Sequence, residues 1–311
     1  MFDYDVVIIG GGPAGLTAGL YASRARLRTV LLEGMMMGGQ TASTELVENY
    51  PGFTEPLVGA SLGPLFESQA KKFGLEVRQF QQATKIIPQN PGFEVVMSPE
   101  GGLTAKTVIV ATGTQWSKLG IPGEEELRGA GVSYCATCDG AFYRDMDIAV
   151  IGGGNAAIEE SLFLTKFARK VYIIHRRDAL RAEKIIQERA FANEKIEFVF
   201  NHVPLKIVGD GEVKGVELKH VKTGEEKFLA VAGVFIYIGM RGKSELLEGL
   251  ATMDERGFVA AGEDTVTDCP GLFAAGDIRQ KPLRQIVTAV ADGAVAAVQA
   301  EKFIEANFQS D

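Results

Sequence analysis

A strand, a glycine-rich turn and a helix in immediate succession constrain the fold of this chain more than any other feature, and they occur twice. In the first copy a β-branched run from Asp5 to Ile9 enters Gly10-Gly11-Gly12-Pro13-Ala14-Gly15, followed by a small-residue helical stretch to about Arg26 and a short strand, Arg28 to Glu33. At Asp147 the pattern restarts: strand Ile148 to Ile151, turn Gly152-Gly153-Gly154-Asn155-Ala156-Ala157, an amphipathic helix to about Phe167, and strand Lys170 to His175. Small residues at this spacing permit a tight turn, bring backbone N–H groups against a pyrophosphate and let the helix pack on the sheet. The negative phosphate then sits at the positive end of the helix dipole. One such hexapeptide is weak evidence, but its placement between strand and helix in two copies predicts two nucleotide-binding units.

The copies differ where they would meet a ribose. The first has Glu33 at the end of its second strand, a carboxylate that accepts hydrogen bonds from ribose hydroxyls and repels a 2′-phosphate. The second has His175-Arg176-Arg177 there, with Arg181 one turn further on, and guanidinium groups match a phosphate. The first unit therefore suits FAD and the second NADPH over NADH. The arginines also admit a plainer account, a solvated basic patch on an otherwise acidic chain. Near the C-terminus an apolar run, Gly271 to Ala275, leads to Gly276-Asp277, where Asp277 suits flavin ribityl hydroxyls and Gly276 permits close backbone approach. Ala111-Thr112-Gly113, after Val108-Ile109-Val110, is a second contact of this kind, and each also reads as an ordinary strand end and turn.

The chain has 311 residues, 46 % of them apolar and 23 % charged, which fits two soluble domains. A net charge of −8 argues against nucleic acid as a partner. The N-terminus lacks a basic segment and no apolar run approaches the roughly 18 residues that cross a bilayer, so a cytoplasmic protein without membrane contact is expected. There are only three cysteines, and Cys135-Ala136-Thr137-Cys138 has the spacing of a dithiol/disulfide couple. Zinc normally needs four ligands, and Cys269, His202 and His220 form no second pair at metal spacing, so no metal is expected. Asp139 can exchange a proton with the sulfur or serve as a helix N-terminal acid, and Cys269 reads as a small buried residue. Antiparallel strands are expected over 92–98 with 105–111 and 213–220 with 225–232, hinges over 115–123 and 239–244, and a terminal helix from Asp292 to Phe308.

Together with Gly38-Gly39-Gln40, Glu48-Asn49-Tyr50-Pro51-Gly52 and Arg284-Gln285, these motifs make the chain resemble the low-molecular-weight thioredoxin reductases of bacteria along essentially its whole length. The resemblance implies an α/β fold of two Rossmann-like domains of the three-layer ββα type. An NADPH domain, residues 118–245, is inserted into an FAD domain made of 1–117 and 246–311. It places Gly39, Gln40, Asn49, Asp277, Arg284, Gln285 and Ile286 near the flavin or its phosphates, Cys138 against the flavin, Cys135 toward a thioredoxin disulfide and Asp139 as the acid. It also implies a homodimer and a middle domain that rotates between half-reactions. Two positions depart from the family pattern: Ala291 stands where glycine is usual, and Met35-Met36-Met37 where a more polar mix is common. The competing readings are a related reductase serving another redox carrier, a ferredoxin-fed enzyme in which the arginines would have no purpose, and a flavin redox sensor without turnover.

Overall fold

Val6, Val7, Ile8 and Ile9 are all buried, because the strand Tyr4–Ile9 is flanked by parallel partners on both edges and covered on both faces. Its neighbours are Thr29–Glu33 (Ile8 opposite Leu31) and Gly102–Val110 (Ile8 opposite Ile109). Each such side chain taken out of water contributes about 1.5–3 kcal/mol. The computed structural model describes residues 2–44, 46–99 and 101–308. The chain divides into one unit of Met1–Gln115 with Arg241–Asp311 and a second of Trp116–Met240.

In the first unit a seven-stranded sheet runs in the order Glu76–Gln79, Thr29–Glu33, Tyr4–Ile9, Gly102–Val110, Phe93–Ser98, Gln82–Pro88, and Leu272–Ala274 also pairs with Gly102–Val110. That long strand plays two parts. Its first half pairs antiparallel with Phe93–Ser98 (Phe93 opposite Ala105) and its second half parallel with Leu272–Ala274 (Phe273 opposite Ile109). Helix Pro13–Arg24 packs against helix Ile286–Asn307 through small residues. A Cβ on Gly293 would lie 2.1 Å from Ala14 O, so the two backbones touch. The terminal helix begins six residues before the expected Asp292. Gln285 and Thr288 form a capping box at its start, and Asp292 lies buried inside the helix as an ion-pair partner. An Asp ahead of an alanine-rich run resembles an N-cap; here it is held by cations distant in sequence.

The second unit has a five-stranded parallel sheet in the order Val132–Ser133, Gly233–Tyr237, Asp147–Gly152, Lys170–His175, Ile196–Phe200. Helices Asn155–Leu164 and Lys184–Phe191 cover one face with Ile158, Leu164 and Ile186. An antiparallel meander, His202–Gly209, Val213–His220 and Glu226–Ala230, covers the other with Ile207, Val216 and Leu218. Helix, parallel sheet and antiparallel sheet make the three expected layers. The pairing of 213–220 with 226–230 was expected, whereas the strand His202–Gly209 that completes the meander was not.

Candidate active site

Cys135 and Cys138 are joined by a disulfide of 2.07 Å across one helical turn, Ala136–Asp139. The turn leaves the sheet directly after edge strand Val132–Ser133, so the sheet sets the position of Cys135. Cys135 caps the turn: its Sγ accepts the Cys138 N–H at 3.2 Å and lies 3.4 Å from Thr137 Oγ1. A sulfur facing a backbone donor is favoured as the thiolate once the bond is reduced. Ala136 N–H donates to Tyr237 Oη at 2.8 Å and Cys135 N–H to Ser133 Oγ at 3.0 Å, while the Ser133 hydroxyl donates to Asp139 Oδ2 at 2.6 Å. Cys138 is exposed and Cys135 and Asp139 are half-buried. Desolvation pushes the Tyr237 hydroxyl well above the usual range, and it does the same to Tyr134, which donates to the buried Glu124 carboxylate at 2.5 Å. Both tyrosines therefore act around the pair as neutral hydrogen-bonding groups.

In the first unit the glycine turn has no room for side chains. A Cβ on Gly10, which sits at φ +111°, would meet Ala111 O at 2.4 Å, and one on Gly15 would meet Gly10 O at 1.9 Å. At Gly12 the nearest atom is Gly39 Cα at 4.0 Å, so bare backbone borders open space where helix Pro13–Arg24 begins without a side-chain cap. Pro13 at the first helical position removes one N–H that would otherwise lack a partner. Glu33 holds the rim, its Oε2 accepting from Gly11 N–H and its Oε1 from Met35 N–H, each at 2.7 Å. A Cβ on Gly276 would lie 2.8 Å from Ala14 Cβ, which brings the Gly276-Asp277 turn against the same helix start.

The other flavin candidates in this unit tie their segments together. Gln40 Nε2 donates to Thr114 O at 2.8 Å, and Asn49 Nδ2 to Gln285 Oε1 at 3.1 Å. Gln285 caps the helix whose first residue is Ile286. Thr112 Oγ1 donates to Lys243 O at 2.6 Å, and Gly113, at φ +69°, has nothing near its Cβ position. The Arg284 guanidinium lies 3.7 Å from the Phe258 ring centroid and donates to Asp277 O at 3.2 Å and Arg279 O at 3.0 Å. Asp277 Oδ1 is buried without a hydrogen-bond partner, its closest cation being Lys281 Nζ at 4.0 Å, and desolvation raises its carboxyl above the usual range. An orphaned acceptor beside bare glycine backbone fits a polyol diphosphate such as the FAD linker, whose hydroxyls are donors and whose phosphates seek N–H groups. Ala291, the departure from the family pattern, is exposed on the terminal helix.

The second glycine turn is strapped from a different direction. A Cβ on Gly152 would meet Tyr237 O at 2.4 Å, whereas Gly154 faces open space at the start of helix Asn155–Leu164. Ala157 is buried beneath the turn and Ala156 is half-buried. Arg181 N–H donates to Gly153 O at 2.7 Å, and Asn155 and Glu183 exchange hydrogen bonds of 2.9 and 2.8 Å. This strap brings Arg181 to the turn. Arg176, Arg177 and Arg181 are exposed, and none of their guanidiniums pairs with a carboxylate among the described residues. His175 is placed apart from them: it is 5 % exposed, its Nδ1 lies 2.4 Å from where a Gly153 Cβ would be, and its Nε2 has no partner. Desolvation first, then the charge of Arg181, hold it below the usual histidine range, so the neutral ring supports the turn from beneath. Three bare cations beside an uncapped helix start suit a nucleotide with an additional phosphate.

Residues 4–293 match the family model described as pyridine nucleotide-disulphide oxidoreductase. The chain belongs to this family. Within it, the chain is 50 % identical over 311 residues to the thioredoxin reductase of Peptoclostridium litorale, with 98 % of each chain covered. The solved thioredoxin reductase of Lactococcus lactis shares 45 % identity at a TM-score of 0.95, covering 98 % of this chain and 100 % of that one. The corresponding enzyme of T. acidophilum shares 35 % identity at a TM-score of 0.91, covering 98 % and 99 %. The resemblance to bacterial thioredoxin reductases and the α/β fold of Rossmann-like units are thus borne out. Family membership implies a flavin and a nicotinamide cofactor. No described helix is long and apolar enough to cross a membrane, and no described group of three or more His, Cys, Asp or Glu could hold a metal ion.

Sequence reading missed Ser133, Tyr237, Thr288, Phe258 and the buried set Arg279, Lys281 and Asp292. Asp292 accepts from Gly276 N–H, Arg279 Nε and Lys281 Nζ, each at 2.9 Å, and thereby holds the turn that carries Asp277. Ser133 lies two residues before the cysteine pair, Arg279 two after Gly276-Asp277, Thr288 three after Arg284-Gln285 and Asp292 directly after Ala291, so each lay beside a motif whose local meaning did not reveal its partner, whereas Tyr237 and Phe258 lay beside none.

Proposed function

We propose that the chain is an NADPH-dependent, FAD-containing thioredoxin-disulfide reductase of the cytoplasm, working as a homodimer. The observation that carries this reading is the Cys135–Cys138 disulfide, exposed on a turn of the same unit that holds the arginine-flanked glycine turn. When bound, the nicotinamide and flavin supply the two electrons that open this disulfide.

The chain's own residues then have separate tasks. Gly10, Gly12 and Gly15 with the start of helix Pro13–Arg24 hold a diphosphate, Glu33 the adenosine ribose, and Asp277 a ribityl hydroxyl. Gly39, Gln40, Asn49, Arg284, Gln285 and Ile286 line the flavin side, with Ala111, Thr112 and Gly113 at the strand end beside them. Gly152, Gly154, Asn155, Ala156 and Ala157 hold the second diphosphate, Arg176, Arg177 and Arg181 the 2′-phosphate, and His175 supports their turn. Cys135, its sulfur stabilised by the Cys138 N–H, attacks the partner's disulfide as the thiolate. Cys138 resolves the mixed disulfide, and Asp139 carries the proton. The reading includes rotation of the middle unit about its two linkers, which a crosslink between the units would stop.

Steady-state oxidation of NADPH that requires both the protein and an oxidised thioredoxin tests the activity. Oxidation at the same rate without thioredoxin, or none with it, rejects the reading.

A further inference from the structure

Ser133 has no task in the exchange described above, although it touches the redox turn at three points. It is 4 % exposed and lies on the edge strand, opposite Phe235 in the register, so its position is fixed before the chain leaves the sheet. Its Oγ accepts the Cys135 N–H at 3.0 Å and has Asp139 Oδ2 at 2.6 Å and Cys135 O at 3.3 Å within reach. A hydroxyl has one proton to give. The shorter contact, to a carboxylate, is the stronger one, so Ser133 donates to Asp139.

We propose that Ser133 is the positioning residue of the redox turn, aiming the Asp139 carboxylate so that it takes the Cys138 proton. The inference rests on the reading of Asp139 as proton carrier. The Cys135 thiolate attacks the partner's disulfide, forming a mixed disulfide and releasing one partner thiolate. The Cys138 thiol gives its proton to the Asp139 carboxylate. Its sulfur then attacks Cys135 Sγ, re-forming the Cys135–Cys138 bond and releasing the second partner thiolate, after which Asp139 returns the proton to that thiolate or to water. No further oxidant or reductant is needed. Of the groups facing Asp139, Tyr143 and Tyr237 sense its charge, Glu160 acts on Tyr237, and both tyrosines are pushed up, chiefly by desolvation, so they stay neutral.

The test is single-turnover exchange. Holoenzyme reduced with dithiothreitol and freed of it is mixed with the aromatic disulfide dithionitrobenzoate, and the two coloured thiolates are followed as separate phases across pH. In Ser133→Ala the second phase should slow about tenfold, the worth of one hydrogen bond to a charged group. The first phase should be kept. Ser133→Thr, which retains a hydroxyl, should restore the rate of the second phase. Equal slowing of both phases, or no rescue by threonine, would reduce Ser133 to a structural role and overturn the proposal. So would a Ser133→Ala profile matching the parent while Asp139→Asn slows the second phase. If Asp139→Asn itself leaves that phase unchanged, the proton-carrier reading fails, and the inference with it.

Discussion

Replacing Asp292 by alanine should destabilise the first unit by about 3 kcal/mol, the lower end of what breaking a buried ion pair costs. The side chains of Arg279 and Lys281 are 2 % and 4 % exposed, and both depend on Asp292: Arg279 through Nε and Nη2 at 2.9 and 2.8 Å, Lys281 through Nζ at 2.9 Å. After truncation Arg279 keeps the Ala261 carbonyl at 2.8 Å and that of Gly262, but Lys281 keeps only Asp277 Oδ1 at 4.0 Å. The uncompensated charge is therefore mainly the ammonium. Removing it as well, in Asp292→Ala/Lys281→Met, should recover about 1–2 kcal/mol as coupling between contacting residues. The protein carries its own control. Its single tryptophan, Trp116, lies in the second unit, edge-on to Tyr237 at 5.0 Å. Urea melts followed by far-ultraviolet circular dichroism should lose stability while the Trp116 fluorescence transition keeps its midpoint. The pH dependence has a definite sign. Burial raises the Asp292 carboxyl, but hydrogen bonds from Arg279 and Lys281 outweigh it and hold the group below the usual range. Its contribution is thus complete above the unfolded value of about 4 and is lost as pH falls through the folded one. The gap between parent and variant should close in acid. A loss under about 1 kcal/mol at neutral pH, or a Lys281→Met change that adds to the damage, would refute the reasoning.

Cys135→Ser or Cys138→Ser should abolish thioredoxin reduction while the bound flavin is still bleached by NADPH, as read by absorbance. Arg176, Arg177 and Arg181 replaced together by alanine should raise the KM for NADPH by at least about tenfold, the worth of one charge-assisted contact, and leave that for NADH unmoved; an unchanged preference would remove the arginines from the site. Gly15→Ala puts a Cβ 1.9 Å from Gly10 O, so the purified protein should lose its flavin, checked by the ratio of visible to ultraviolet absorbance.

Local signals were legible in the sequence and distant partnerships were not. Both glycine turns could be read because the strand before them, the helix after them and the small residues between sit within about twenty positions. Cys135 and Cys138 were legible as a pair for the same reason. Tyr237, which holds the Ala136 N–H, lies 101 residues from it, and no spacing rule links them. The terminal helix was read from Asp292 because the alanine-rich run with apolar residues at helical spacing is clear from there, while Arg279 and Lys281, which hold Asp292 inside the helix, are brought to it only by the packed fold. His175 shows the converse limit: its neighbours in sequence are the exposed arginines, yet the last strand residue turns inward beneath Gly153. Strand alternation decides that, not the charge of the tripeptide.

The central claim is a path for electrons from NADPH through bound flavin to an external disulfide protein. An anaerobic titration tests it most directly: the visible spectrum of the purified protein is recorded, NADPH and separately NADH are added, and oxidised thioredoxin follows. A yellow protein bleached by NADPH in preference to NADH and recoloured by thioredoxin is the expected result. A protein that neither nucleotide bleaches, or that stays bleached when thioredoxin is added, contradicts it.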